Sequence, residues 1–204
     1  MSDPVLREQC EALEFYETPE WAVRAILQKE ILTRCVFDPC VGRGVMANIA
    51  SKEGYVVYAQ DVHDWGYPGV IIQDFTTMDR HPYEADDRDF TVIMNPPFSK
   101  AEQFVKKCAE LGARKVVCFQ RLAWWEAEVR SEFWREYPPN RIYICGDRAT
   151  CWRGDIPVDE KGRRRDPDTG KILTGTPTAH AWFVWEPGQP TGTLLSHIYK
   201  SELR

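Results

Sequence analysis

The stretch CVFDPCVGRG, residues 35–44, combines a short apolar run, an acidic residue at its end and a glycine-rich turn. The residues that follow, 45–52, have a helical pattern. This is a nucleotide-binding layout, because glycines let the backbone approach a ligand closely and the N-terminus of a helix favours electronegative groups. The spacing differs from the hydride-transfer pattern Gly-x-Gly-x-x-Gly, since Ala47 stands where the third glycine would fall.

A second informative segment is VIMNPPF, residues 92–98. Proline cannot continue a central strand, so the two prolines predict an abrupt strand end and a rigid corner. The side-chain carbonyl of Asn95 and the backbone carbonyl of Pro96 can both accept hydrogen bonds from one planar amine, and Phe98 adds an aromatic face. Together with Pro97, these are the candidate catalytic residues for holding an amino group on a flat ring. The alternative is an ordinary strand-ending turn.

The glycine turn followed by Asn-Pro-Pro-Phe resembles the S-adenosylmethionine-dependent amino-methyltransferases, which methylate adenine or cytosine amines in DNA, some RNA bases and glutamine amides. The segment FYETP, residues 15–19, resembles the Tyr-x-Thr-Pro segment of adenine-N6 DNA methyltransferases with the gamma order of motifs. This resemblance implies that Tyr16, Thr18 and Pro19 close over the methionine end of the cofactor. Thr18 and Pro19 also predict a helix start, with a hydroxyl cap and proline at the first helical position.

The resemblance implies S-adenosyl-L-methionine as the cofactor and assigns residues of the glycine turn to it. Asp38, followed by Pro39, would lie near the methionine ammonium. Gly42 and Gly44 would pass beneath the sugar and the carboxylate. Asn95 would face both the cofactor and the amine that is methylated.

Two further acidic residues follow apolar runs. Asp61 ends the run at 55–61, where a carboxylate can accept hydrogen bonds from both ribose hydroxyls. Asp74 follows a second run, and the resemblance implies that it holds the adenine amine while Phe75 packs on the ring. The alternatives are a turn or helix cap for Asp74 and a core position for Phe75.

The hydrophobic pattern predicts strands that alternate with helices through short connections, and hence a mostly parallel sheet covered on both faces. The predicted elements are strands at 36–38, 55–61, 70–72, 90–95, 115–119, 141–145 and 181–185, and helices at 18–29, 45–52, 100–111 and 123–136. They resemble the α/β, seven-stranded, Rossmann-like fold of class I methyltransferases, in a single domain over residues 1–204. Asp38, Asp61 and Asn95 fall at predicted strand ends, where such sheets bind ligands.

The long connection at 146–180 joins the last two predicted strands and contains Arg163, Arg164 and Arg165. These side chains can contact phosphates, although nearby acids leave the connection nearly neutral and a solvated loop is the alternative. Arg121 is a further candidate for nucleic-acid binding. Trp124 can stack on an extruded base or belong to the core.

Composition sets the outer limits. The chain has 204 residues, is 43% hydrophobic and carries a formal net charge of −5, all of which is accounted for by residues 1–20. This suffices for one well-buried domain, and the remainder is neutral overall, which is compatible with a DNA partner. The absence of a long apolar stretch and of a secretion signal predicts a cytoplasmic protein without membrane contact. The seven cysteines lack metal-ligand spacing, so reduced thiols and no metal are expected.

We therefore expect methyl transfer to N6 of adenine in double-stranded DNA, with the base flipped out of the duplex. The short region after the presumed sixth strand resembles small solitary enzymes of phages and prophages, without a large target-recognition domain. One alternative is methylation of a ribosomal RNA base amine or a protein glutamine amide. A second alternative is a catalytically inert protein that binds the cofactor or nucleic acid.

Overall fold

Apolar runs that are buried on both faces form the centre of the sheet. The computed structural model of the protein describes residues 3–83, 89–126, 128–189 and 192–203. Its strands are β1 (Tyr16–Glu17), β2 (Cys35–Asp38), β3 (Val56–Asp61), β4 (Ile71–Ile72), β5 (Phe90–Met94), β6 (Lys115–Arg121), β7 (Arg141–Cys145), β8 (Trp152–Arg153), β9 (His180–Trp185) and β10 (Leu194–Ile198). Its helices are α1 (Pro4–Ala12), α2 (Glu20–Lys29), α3 (Val45–Lys52), α4 (Ala101–Glu110) and α5 (Ser131–Glu136). Every residue of β2 and β5 is buried, as expected for parallel strands covered on both faces.

Eight strands form one sheet in the order β4-β3-β2-β5-β6-β9-β7-β10. All neighbouring strands are parallel except β9, which is antiparallel to β6 and β7. The predicted mostly parallel sheet is confirmed, but the predicted count of seven strands is wrong. The additional strand, β10, pairs in parallel with β7 at the edge. Its Leu194 and Leu195 are 70% and 63% exposed, so the sequence there lacks the buried apolar run that predicts a central strand.

Successive residues of the central strands point to opposite faces and build two apolar layers. Phe37 and Phe183 belong to the layer that includes α4, whereas Val36 and Trp182 belong to the layer that includes α2 and α3. The indole nitrogen of Trp182 donates a hydrogen bond of 3.1 Å to the carbonyl of Ala22. This bond fixes α2 against the sheet, close to the glycine turn.

The start of α2 differs from the prediction. The helix begins at Glu20, Pro19 occupies the N-cap position, and no side chain donates or accepts a capping hydrogen bond. The predicted hydroxyl cap at Thr18 and the predicted first helical position of Pro19 are therefore wrong, because Pro19, with an extended backbone, itself stands at the N-cap. Within the part of the chain that the structure describes, no helix combines the length and the apolar character needed to cross a bilayer.

The predicted helix at 123–136 is largely wrong. Only α5 is α-helical, and short 3-10 turns at Leu122–Trp124 and Glu128–Arg130 precede it, while residue 127 lies outside the described residues. The rings of Trp124 and Phe183 pack edge to face with centroids 5.1 Å apart. Packing of these large side chains, rather than helical periodicity, determines the course of the chain here.

The connection at 146–180 folds onto the N-terminal segment. Within it, β8 pairs antiparallel with β1, with Tyr16 opposite Arg153. The helix α1, which the sequence analysis does not predict, is held to the same connection by an ion pair of 3.0 Å between Arg7 and Asp168. The predicted loop therefore covers the segment that leads into α2.

Candidate active site

The carboxyl ends of β2, β3 and β5 open onto one cleft, as expected for parallel strands whose connecting loops leave at the same edge. It encloses about 970 Å³ including its open mouth. The predicted site residues that line the cleft are Tyr16, Thr18, Asp38, Pro39, Gly42, Asp61, Asp74, Phe75, Asn95 and Pro97. Four others, Pro19, Gly44, Pro96 and Phe98, do not line it.

The glycine turn requires glycine at both predicted positions. Gly42 has φ +55°, and a Cβ there would lie 2.6 Å from the ring of Phe15. Gly44, at the N-cap of α3, has φ +86°, and a Cβ there would lie 2.0 Å from the ring of Tyr67. Gly42 thus brings its backbone to the cleft beneath Phe15, whereas Gly44 is required for packing behind it.

Asp38 is a buried carboxyl group without a cationic partner among the described residues. It is 1% exposed, and its Oδ1 accepts a hydrogen bond of 3.3 Å from the backbone nitrogen of Cys40. Burial raises the pKa of Asp38 to about 8, and the nearby charge of Asp61 acts in the same direction. A cationic ligand group in the cleft would favour the ionised form of Asp38.

Asp61 braces the glycine turn from the neighbouring strand. Its Oδ2 accepts a hydrogen bond of 2.9 Å from the backbone nitrogen of Gly42, and its Oδ1 accepts one of 3.1 Å from that of His63. Burial raises the pKa of Asp61, and these backbone donors oppose the rise. A carboxylate offers about four acceptor positions, so Asp61 retains capacity for ligand hydroxyls.

Thr18 contributes an unpartnered polar atom to the cleft. The residue is 5% exposed, and its hydroxyl makes no hydrogen bond within the described residues. Buried polar groups normally have a partner, so this hydroxyl indicates room for a polar ligand atom.

Asp74 and Phe75 fit both roles considered for them. Each has a structural role in the local fold, and each also lies at the cleft. The Oδ1 of Asp74 accepts hydrogen bonds from the backbone nitrogen and the hydroxyl of Thr76, at 2.9 and 2.7 Å, and caps a 3-10 turn. The Thr76 hydroxyl lowers the pKa of Asp74. Phe75 packs in the core beside Phe37 and Phe104, yet both Asp74 and Phe75 also reach the cleft wall.

The corner after β5 faces the same cleft. The amide nitrogen of Asn95 donates a hydrogen bond of 2.8 Å to the carbonyl of Tyr16, which leaves the amide oxygen as the acceptor. The carbonyl of Pro96 accepts a bond of 3.1 Å from the side chain of the buried Gln120. The Phe98 ring lies 5.5 Å from that of Tyr16, centroid to centroid, at a tilt of 36°. A polar acceptor and an aromatic ring therefore flank the acidic cleft.

Solved structures share this architecture at low sequence identity. A proposed RNA methyltransferase from Pyrococcus horikoshii has a TM-score of 0.52 and 16% identity, over 90% of this chain and 98% of that one. A modification subunit of a proposed type I restriction enzyme from Vibrio vulnificus has a TM-score of 0.51 and 14% identity, over 95% and 50%. A type I restriction-modification methyltransferase subunit from Streptococcus thermophilus has a TM-score of 0.50 and 11% identity, over 85% of this chain and 45% of that one.

The chain has the fold of class I methyltransferases. It spans about half the length of the two restriction-modification subunits. No protein-family profile and no curated protein sequence matches it. Open α/β sheets bind ligands outside the carboxyl ends of their strands, and the cleft lies at the ends of β2, β3 and β5.

Arg121 and Trp124, both predicted to contact nucleic acid, lie in different environments. The guanidinium of Arg121 lies over the Phe98 ring, 4.0 Å from its centroid. Trp124 is 5% exposed, and its ring packs against Trp134 with centroids 4.7 Å apart. The stacking role predicted for Trp124 is therefore wrong, because neighbouring aromatic side chains cover its ring.

The three consecutive arginines of the connection are engaged within the fold. Arg163 and Arg165 make ion pairs with Asp159 at 2.8 and 2.9 Å, and Arg164 pairs with Glu17 at 2.6 Å. These carboxylates offset the charge that the sequence analysis assigned to phosphate binding.

Several residues of the cleft have no sequence prediction. Phe15 stacks on Trp65 with ring centroids 4.2 Å apart, and the guanidinium of Arg43 lies 5.4 Å from the Phe15 centroid. Arg43 also donates a hydrogen bond of 2.7 Å to the carbonyl of Gly154. The adjacent Tyr-x-Thr-Pro pattern is the signal that points to Phe15. The contacts of Trp65 and Arg43 depend on distant parts of the chain.

Within the described ranges, no three His, Cys, Asp or Glu side chains lie close enough together to hold a metal ion. The seven cysteines are free thiols, and only Cys40 is more than slightly exposed. Burial raises the pKa of the Cys40 thiol, which therefore favours its protonated form.

Proposed function

We propose that this protein transfers a methyl group from S-adenosylmethionine to the N6 amine of adenine in DNA. The observation that carries the proposal is that Asn95 shares one cleft with Asp38 and Asp61, at the carboxyl ends of three adjacent strands. The acidic side of the cleft suits a cofactor with a cationic amine and a ribose. The Asn-Pro-Pro-Phe side suits a planar amine.

The residues present fit the cofactor. Asp38 is buried without a cation and would accept from the methionine ammonium, and Thr18 has a hydroxyl without a partner for a polar atom at the same end. Asp61 would accept from the ribose hydroxyls. The Oδ1 of Asp74 is already engaged with Thr76, so its second oxygen is the acceptor for the adenine amine. Gly42 lines the same cleft, beneath the Phe15 ring.

Asn95 would position the substrate amine. Its amide nitrogen is committed to the Tyr16 carbonyl, so its oxygen accepts from an amine proton. The Pro96 carbonyl, which already accepts from Gln120, has a second lone pair for the other proton. Two acceptors fix the orientation of the amine, and Phe98 contributes a face on which the ring stacks.

The rate gain would come from positioning and electrostatics. The cofactor, when bound, supplies an electrophilic methyl group on its sulfonium. Asn95 and Pro96 would hold the amine so that its lone pair points toward that group. Phe15 and Trp65 cover the glycine turn and limit the access of water to this part of the cleft.

DNA is the proposed substrate because the Tyr-x-Thr-Pro segment precedes the glycine turn, as in adenine-N6 DNA methyltransferases, and because two structures with the same fold belong to restriction-modification enzymes. RNA is the competing substrate, since a structure aligned over 98% of its length is that of a proposed RNA methyltransferase.

The test is transfer of a radiolabelled methyl group to unmethylated DNA, ribosomal RNA and a protein extract. We expect label in DNA, at N6 of adenine after digestion to nucleosides, and its loss in Asn95→Ala. Asn48→Ala is the matched control, because Asn48 is exposed on α3 and outside the cleft wall. Label in RNA or protein alone would refute the DNA assignment. Cofactor binding without label in any acceptor would refute the activity.

A further inference from the structure

Three exposed cations follow the carboxyl ends of the strands beyond the Asn95 corner. Arg121 ends β6, while Arg148 and Lys200 follow β7 and β10 within a few residues. Because β5, β6, β7 and β10 run parallel, their ends share one edge of the sheet. The row begins beside the Asn-Pro-Pro-Phe corner and extends toward the β10 edge.

These three side chains differ in their ion pairing from the other arginines of the connection at 146–180, to which Arg148 also belongs. Arg153 pairs with Asp155 and Glu11, and the three consecutive arginines at 163–165 also pair with carboxylates. Among the residues that the structure describes, Arg121, Arg148 and Lys200 make no ion pair. One acid lies in the row, Asp147, whose carboxylate accepts a hydrogen bond from the backbone nitrogen of Lys200.

Aromatic rings and a carbonyl hold the cations in place of carboxylates. Arg121 lies over Phe98, and the ammonium of Lys200 lies 5.4 Å from the centroid of the Trp21 ring. The guanidinium of Arg148 donates to the carbonyl of Pro177. Cation–π contacts and carbonyl acceptors orient a cation without cancelling its charge, so the row keeps its positive potential.

An open groove runs along the outer part of this row. Arg148, Lys200, Trp21 and Trp152 are among the residues that line it. Arg121 lies at the other end of the row, at the end of β6 and over the Phe98 ring of the Asn-Pro-Pro-Phe corner.

We propose that Arg121, Arg148 and Lys200 bind phosphates of the nucleic-acid strand that delivers its base to the Asn95 corner. Neighbouring strands of a sheet lie about 4.8 Å apart, so the four strands from β6 to β10 span roughly 15 Å. That width accommodates several phosphates of one strand at about 3.4 Å of axial rise each. Because its guanidinium already covers Phe98, Arg121 holds the phosphate nearest to the target nucleotide, and leaves the ring when the base stacks there.

This inference rests on the proposed function for the identity of the strand, but its measurement is independent of catalysis. A fluorescein-labelled DNA duplex would be titrated with Arg121→Gln, Arg148→Gln and Lys200→Gln at several salt concentrations. Arg114→Gln is the matched control: Arg114 is exposed, makes no ion pair among the described residues and precedes β6 at the opposite edge. Thermal melting of each variant would establish that it is folded.

We call Arg121→Gln, Arg148→Gln and Lys200→Gln the edge variants. We expect each of them to bind every duplex sequence more weakly and to reduce the slope of log affinity against log salt by about 0.9. Arg114→Gln should keep the wild-type slope. Wild-type slopes in all three folded edge variants would overturn the inference. If these variants keep the wild-type slope while the wild type methylates DNA, the inference fails and the proposed function stands.

The same titration with RNA of identical sequence separates the remaining cases. In one case the three variants reduce the slope of log affinity against log salt on RNA, and methyl label is found in RNA alone. This result would support phosphate binding by Arg121, Arg148 and Lys200 and would refute DNA as the substrate. Absence of salt-dependent binding to either nucleic acid would overturn the inference, whereas a methyl label in protein alone would overturn the DNA assignment.

Discussion

Binding of S-adenosylmethionine is expected to depend on the ionisation of Asp38. Burial raises the pKa of Asp38 from its ordinary value of 3.8 to about 8, so the ligand-free protein holds this carboxyl group protonated at neutral pH. In the proposed site the methionine ammonium would favour the carboxylate form of Asp38, so binding would release a proton. The affinity should therefore rise with pH and level off as pH approaches 8.

The size of the effect follows from the one proton that is released. Each pH unit below the pKa of Asp38 weakens binding about tenfold, or about 1.4 kcal/mol. The dissociation constant should thus fall about tenfold from pH 6 to pH 7. The amine of the cofactor has its own pKa near 8, so the range below about pH 7 is the informative one.

The same pKa has a consequence for the ligand-free fold. Between about pH 4 and pH 8 the folded protein keeps a proton at Asp38 that the unfolded chain has lost. The contribution of Asp38 to the free energy of unfolding is fully present below pH 4 and is lost as pH rises through 8. Asp38→Asn stays neutral throughout, so its stability should lack this decline.

Isothermal titration calorimetry from about pH 6 to pH 9 measures the prediction. Asp38→Asn should bind weakly and without the rise between pH 6 and pH 7. Methylthioadenosine, which has the nucleoside but no amine, is the matched ligand and should show no rise with wild-type protein. An equal dissociation constant at pH 6 and pH 7 for the wild type, or the same pH dependence in Asp38→Asn, would show that Asp38 does not control binding.

Three other substitutions test the site and its support. Glu30→Gln should lower the free energy of unfolding in urea by about 3–5 kcal/mol, because the buried Glu30 pairs with the buried Lys115 at 2.8 Å; a loss below about 1 kcal/mol would contradict this. Gly42→Ala should cost about 1–3 kcal/mol of cofactor affinity in calorimetry, since its methyl group would press on Phe15, and unchanged affinity would disagree. Trp124→Ala should lower stability by about 3–5 kcal/mol in the same urea assay. A folded Trp124→Phe that loses DNA affinity would contradict the core assignment.

The sequence predicts the ligand edge of the sheet because its signals are local. The Asp38 and Asp61 carboxyl groups follow apolar runs, and the Asn-Pro-Pro-Phe corner must end a strand. In a parallel sheet the ends of neighbouring strands meet, so local patterns suffice to bring the three positions together. The structure adds the pairing order, with β2 between β3 and β5.

The remaining errors concern contacts between distant parts of the chain. The exposed residues of β10 lack an apolar run, so the strand is recognisable only through its pairing with β7. The ion pair of Arg164 with Glu17 joins residues far apart in sequence, and composition cannot reveal it. The side chain of Trp124 has the same sequence signal whether it is buried or exposed.

Residues 152–165 of the long connection contribute to the site through position rather than charge. The carbonyl of Tyr16 sets the orientation of the Asn95 amide, and Tyr16 lies in β1, which pairs with β8 of the connection. The backbone nitrogen of Gly154 donates a bond of 3.0 Å to the carbonyl of Phe15, and Arg164 pairs with Glu17.

Glu17, which neutralises Arg164 of the connection, therefore belongs to the cover of the cleft. An arginine that fixes this cover is not free to bind a phosphate, because its guanidinium is already committed to a carboxylate. In our proposal, phosphate binding is left to cations held by aromatic rings or carbonyls, as Arg121 is held by Phe98. The division between paired and unpaired cations would then separate the part of the protein that orients Asn95 from the part that we propose to face a nucleic acid.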